Sequence, residues 1–186
     1  MPYTHVFAQF DVVPVADSTD DLRELIYDVL YRDFSVPRNV NWLHLEEGGT
    51  LIVARNRWGL PLGLVRLMPV DPARPLDRQI RQVVVSHAAQ GRGVGAALVC
   101  EAERIALEDG AVSLWLHSRA SAYGFYEAAG FEASGEEFAS VLTKLPHRFM
   151  TKRIRQGAGV RALASNHAPA CASIRGLARL TLRSRP

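Results

Sequence analysis

The sequence predicts one mixed α/β domain over residues 1–154, followed by a basic tail over 155–186. Three observations carry that reading. Apolar, strand-like runs alternate with stretches whose apolar residues recur every three or four positions. A glycine cluster (Gly91, Gly93, Gly95) stands between one such run and a long helical pattern. Of the 186 residues, 48% are hydrophobic, enough for one buried core and too many for a disordered chain.

Residues 4–13 (THVFAQFDVV) read as a first strand. Ser18 or Thr19, followed by Asp20 and Asp21, opens a helix, because a hydroxyl can cap free N–H groups and acids suit the positive end of the dipole. Leu22, Leu25, Ile26, Val29 and Leu30 give that helix one apolar face, and Pro37 and Asn39 end it. Residues 50–56 (TLIVARN) and 60–70 (LPLGLVRLMPV) flank Arg57-Trp58-Gly59 as a hairpin. The proline-bearing loop 71–77 leads into a strand over 80–86 (IRQVVVS). After the glycines, Val94, Ala97, Leu98, Ala102, Ile105 and Ala106 line one helix face, and Gly110 closes it. A strand over 111–117, a short helix over 120–130 and closing strands over 131–137 and 147–154 complete the domain.

The charge is unevenly spread. Residues 152–186 hold eight basic residues and no acid, so the net +3 chain is an acidic domain with a basic tail. A nucleic-acid binder led by that tail is disfavoured by the acidic body. The tail reads as loosely ordered, as a basic amphipathic helix, or as a self-association segment. No apolar run approaches the ~18 residues of a membrane span. The N-terminus lacks the pattern of a secretory signal. Cys100 and Cys171 form no CxxC pair, and the six histidines show no ligand spacing, so no metal is expected. A cytoplasmic protein is the expectation.

Gln90-Gly91-Arg92-Gly93-Val94-Gly95 carries the chemistry. Closely spaced glycines let the backbone bend so that several N–H groups converge, and a helix N-terminus adds free donors and partial positive charge. Such a place holds phosphate, unless the glycines serve only the dihedral angles of a turn. A dinucleotide fingerprint does not fit, since the motif lies mid-chain with no acid about 20 residues on. A P-loop is excluded for want of Gly-Lys-Ser/Thr.

Gln90-x-x-Gly93-x-Gly95 after Val83-Val84-Val85 resembles the acetyl-CoA loop of the GCN5-related N-acetyltransferases (GNAT). Ala122-x-x-Phe125-Tyr126-Glu127-Ala128-Ala129-Gly130-Phe131 resembles that family's second signature. The likeness covers residues 20–153, and the ending Leu145-Pro146-His147-Arg148-Phe149-Met150 is similar to the ElaA-like branch.

The resemblance implies a mixed sheet splayed between its fourth and fifth strands, with helices on both faces. It implies acetyl-CoA as co-substrate, no metal, and a small-molecule or peptide amine as acceptor, with a homodimer left open. The amides of Gly91, Arg92, Gly93, Val94, Gly95 and Ala96 would hold the pyrophosphate, and Gln90 and Ala122 would be among the other cofactor-binding residues. The backbone of Val83, Val84 and Val85 would pair with pantetheine, and Tyr126 would protonate the departing thiolate. Ser118 and Arg119 stand where many members carry Asn, which puts that cofactor contact in doubt. The slot of an acidic base falls on Gln79, which accepts no proton usefully, leaving His44, Glu46, Glu47, His117 and His147 as alternatives. Direct acyl transfer to an amine follows from the resemblance. A CoA-binding sensor without catalysis is the rival, fed by Gln79 and opposed by Tyr126.

Overall fold

The computed structural model describes residues 10–34, 36–38 and 48–154, so the predicted tail and residues 4–9 of the predicted first strand lie outside it. Seven strands form one sheet: β1 (Phe10–Val15), β2 (Thr50–Asn56), β3 (Pro61–Leu67), β4 (Asp77–Val85), β5 (Ser113–Arg119), β6 (Glu132–Ala139) and β7 (Pro146–Arg153). Their order is β1-β2-β3-β4-β5-β7-β6, with β4 and β5 the parallel pair and the other neighbours antiparallel. The helices are α1 (Asp20–Leu30), α2 (Val94–Glu108) and α3 (Tyr123–Ala128).

Helix α1 starts at an extended Thr19, whose hydroxyl turns to the Asp21 carboxylate rather than to a backbone N–H. It ends at Leu30 and passes into a short 3-10 turn, Arg32–Phe34, well before the predicted stop at Pro37. Leu22 and Ile26, one turn apart, are fully buried against Leu51, Val53, Leu64 and Val84. On β2 the alternate residues Ile52 and Ala54 point the other way, into a second cluster with Leu98 and Ala102 of α2 and Leu114, Leu116 and Met150. The hairpin strands β2 and β3 are therefore buried on both faces. Complete burial of a residue such as Leu22 or Ile26 stabilises by roughly 1.5–3 kcal/mol.

Three predicted boundaries are corrected. The fourth strand begins at Asp77, not Ile80, because Asp77, Arg78 and Gln79 pair with Ser113, Leu114 and Trp115. The fifth runs on to Arg119 beside β7. The closing strand predicted over 131–137 runs from Glu132 to Ala139, paired to β7, which leaves 140–145 as the connection.

Candidate active site

The site grows from a short parallel ladder. Asp77 accepts from the Ser113 hydroxyl at 2.5 Å, and Val112 N–H donates to the Leu76 carbonyl at 2.8 Å. Buried Arg78 donates to the Met68 carbonyl at 2.7 Å and pairs with Asp109 just past α2, which fixes the root of β4 to that helix. The ladder stops at Gln79 and Trp115. Beyond them β4 bends toward β3 through a bulge. Leu64 faces Val84 and Arg66 faces Arg81, so Gln82 and Val83 together oppose one residue of β3.

Gln82 takes φ +50, a left-handed conformation that costs a non-glycine residue roughly 1–2 kcal/mol. Its side-chain oxygen accepts from Arg66 Nε at 3.0 Å. Past Gln79 and Trp115 no ladder joins the rest of β4, Val83–Val85 included, to Leu116–Arg119 of β5, which leaves a slot between the two strands. A ligand with amide groups can enter such a slot as an added strand.

At the mouth of the slot, Gln90 Nε2 donates to the Val85 carbonyl at 3.2 Å, tying the loop to the strand. Gly91 and Gly93 adopt φ +71 and +82, and a Cβ on either would meet nothing within 4 Å. Ala97 N–H closes onto the Gly93 carbonyl at 3.0 Å, so the N–H groups of Val94, Gly95 and Ala96 precede the helical ladder and remain available. This is an open cradle of donors at the positive end of α2, which fits a pyrophosphate. Gly95 has a different reason to be glycine, because a Cβ there would lie 3.3 Å from the Phe125 ring, where α2 packs on α3.

Tyr126 projects from α3 into the α2-side core. Its ring meets Phe125 and Phe131 edge-on at centroid distances of 4.9 and 5.7 Å, and the residue is 7% exposed. Burial pushes the phenol well above its ordinary pKa, an effect that the Arg119 charge only partly offsets. The hydroxyl is therefore protonated throughout the physiological range. Ser118 is buried on the same face and donates to the Arg119 carbonyl at 3.1 Å. Ala122 sits in the 3-10 turn between β5 and α3, partly buried against the core.

The proton acceptors considered in the sequence scatter. His44, Glu46 and Glu47 lie outside the described residues. Gln79 is half-buried at the root of the slot. His117 and His147 come together with Phe138 between them, at 4.9 and 6.1 Å from its ring centroid. Gln82 escaped the sequence reading because nothing local marks a bulge. The rings of Trp115, Phe138 and Phe149 escaped it because they lie on three strands.

The slot and the cradle define an α/β protein that can hold an extended, phosphate-bearing ligand across its sheet. Residues 16–131 match the Acetyltransferase (GNAT) family, and the chain belongs to that family. A Bacillus subtilis protein named as an acetyltransferase is 33% identical over 94 residues, which is 50% of this chain and 60% of that protein. A second, YyaT from the same organism, is 32% identical over 94 residues and is likewise matched over 60% of its length. The chain thus matches about three-fifths of each of these relatives.

Among solved structures, a protein from Lactobacillus plantarum named as an N-acetyltransferase superposes with a TM-score of 0.67 at 19% identity, covering 78% of this chain and 99% of that one. An acyl-CoA N-acyltransferase from Pseudomonas aeruginosa gives 0.61 at 25% identity, covering 77% and 98%. Escherichia coli ElaA gives 0.58 at 16% identity, covering 78% and 99%, a likeness of fold. Among the described residues no helix is long and apolar enough to cross a membrane.

Proposed function

We propose that this protein, acting in the cytoplasm, moves an acetyl or other short acyl group from acyl-CoA directly to an amine. The observation that carries the reading is the slot between β4 and β5, continuous at its mouth with the glycine cradle. An acyl-CoA supplies a strand-like pantetheine arm for the slot, a pyrophosphate for the amides from Gly91 to Ala96, and a thioester beside the bulge. Backbone N–H groups near Val83 would polarise the thioester carbonyl as negative charge develops on its oxygen. Tyr126, protonated and on the α2 side, would give its proton to sulfur as the carbon–sulfur bond breaks. Cys100, within α2, is not a free thiol, so no cysteine acyl-enzyme is invoked.

The test is release of free CoA thiol from acetyl-CoA in the presence of a panel of primary amines. Turnover with at least one amine is expected. Tight CoA binding with no turnover on any amine would overturn the reading in favour of a CoA-binding sensor.

A further inference from the structure

Helix α1 packs mainly on β3 and β4, and among the described residues no helix packs broadly on one face of β5, β7 and β6, where only Phe34 of the 3-10 turn after α1 meets the Arg119 guanidinium at 5.9 Å. Register assigns its residues. Trp115, His117 and Arg119 share that face with their β7 partners Thr151, Phe149 and His147, and Phe138 of β6 joins opposite His147. Trp115 stacks on Phe149 at 5.6 Å, and His117 stands edge-on to Phe138 at 4.9 Å and to Trp115 at 5.5 Å. Gln79 pairs with Trp115, and Arg81, two residues on, faces the same way. Phe138 is 41% exposed. Packing alone does not account for aromatic rings and two imidazoles gathered at a surface.

We propose that this face is the acceptor side of the slot and that the His117 imidazole takes the proton of the incoming ammonium. The inference rests on the acyl-transfer reading above. His117 is the second residue of β5 past Trp115, the last to pair with β4, so it stands where the slot opens. Leu116 and Ser118, on either side of it, point to the α2 side, as does Tyr126. The two proton transfers are thus served from opposite faces of the sheet, one at nitrogen and one at sulfur. The rings offer a flat apolar wall and Arg81 a positive one, which suits an amine carried beside a flat apolar group better than a polycation.

The charges around His117 agree with the role. By surface area it is exposed, yet its ring stands among three aromatic rings. That crowding is the largest cause of a lowered pKa, and the charges of His147 on β7 and Arg81 on β4 lower it further. β6 presents the uncharged Phe138 to it. The imidazole is therefore neutral at pH 7 and free to accept. The protons balance. Of the three on the ammonium, one passes to His117 and then to water, and the freed lone pair forms the C–N bond at the thioester carbonyl. The C–S bond breaks with its electron pair on sulfur, which takes the Tyr126 proton. A second proton leaves nitrogen once the C–N bond exists and restores Tyr126, and the third stays in the amide.

The test uses the full chain with 2-phenylethylamine, comparing wild type, His117→Gln and His147→Gln. Wild type should lose kcat on the acid side with a midpoint below the ordinary 6.5 of histidine. His117→Gln should lose about a hundredfold at pH 7 and that limb with it, at unchanged acetyl-CoA affinity. His147→Gln should keep the limb but move it to higher pH. NMR titration of the imidazoles gives a readout independent of turnover, with His117 expected below 6.5 and higher in His147→Gln. A His117→Gln enzyme with the wild-type rate and limb, or a His117 titrating at 6.5 or above, would overturn the inference while leaving acyl transfer intact. Spermidine accepted as readily as 2-phenylethylamine would overturn the acceptor class. Failure of wild type on every amine would remove both readings.

Discussion

The two halves of the sheet are built on different terms. From β1 to β4 the chain is antiparallel, with α1 on one face and α2 on the other, and β2 and β3 contribute Leu51, Ile52, Val53, Ala54, Leu64 and Val65 at 1% exposure or less. From β5 to β6, among the described residues, helix α3 lies on the α2 side and no helix packs broadly on the other. Every residue of β6 is exposed, and β7 buries Met150 toward α2 while Phe149 and His147 remain half-open. The halves meet over three paired residues, Asp77–Gln79 against Ser113–Trp115. One half spends its apolar residues on stability. The other holds them at a surface beside the slot.

The sharpest way to break that comparison is to truncate one large side chain in each half. Leu64→Ala, at a fully buried site touching the α1 cluster, should cost about 3 kcal/mol in urea unfolding. Phe138→Ala, at a site 41% exposed, should cost under about 1 kcal/mol. Equal losses would mean that the uncovered face is core after all.

Next in size is Tyr126→Phe, which removes one hydroxyl and leaves the edge-on contacts with Phe125 and Phe131. Turnover should fall about a hundredfold, the low end of what general acids contribute, with acetyl-CoA affinity unchanged. Steady-state kinetics beside a CoA titration checks this. A wild-type rate in the Phe variant would take the tyrosine out of the reaction.

What the sequence made legible follows the same division. The strand Thr50–Asn56 was readable to the residue, because an apolar run between turn residues needs no partner to identify it. The turn into α2 after the glycines and the short helix carrying Tyr126 were readable as elements because each belongs to a contiguous motif. Asp77-Arg78-Gln79 was not, since three polar residues become strand only through Ser113–Trp115, more than thirty positions away. The bulge at Gln82 leaves no local trace. Trp115, Phe138 and Phe149 become one surface only once the register of three strands is fixed. Sequence reasoning also gave Gly93 and Gly95 a single purpose, whereas Gly93 has open space around it and Gly95 faces a ring.

That contrast supplies a smaller test. Gly93→Ala should destabilise by about 1 kcal/mol, through the left-handed φ of +82 alone, and should shrink the thermal shift given by CoA. Gly95→Ala should separate α2 from Phe125 and lower stability with or without ligand. Thermal melts with and without CoA tell the two apart, and matching behaviour would mean that one mechanism governs both glycines.

The smallest expected effect is a difference in pH dependence between the halves. His117, in the open half, binds its proton less readily folded than unfolded, first because its ring is crowded and then because His147 and Arg81 are positive. Between its folded value and 6.5 the unfolded chain holds more protons, so its contribution to stability is present above 6.5 and is lost as the pH falls. Asp21, on α1 in the packed half, is held below 3.8 chiefly by the Thr19 hydroxyl, with Arg55 assisting, so its contribution is lost only under stronger acid. Urea midpoints at pH 5.5 and 7.5 therefore isolate the open half. Wild type should gain stability between them, and His117→Gln should gain less, the other histidines being common to both. Because the imidazole is partly solvated, the gap will be a fraction of the total slope. No gap would mean that its neighbours do not hold His117 neutral, and the open half would then differ from the packed one in shape alone.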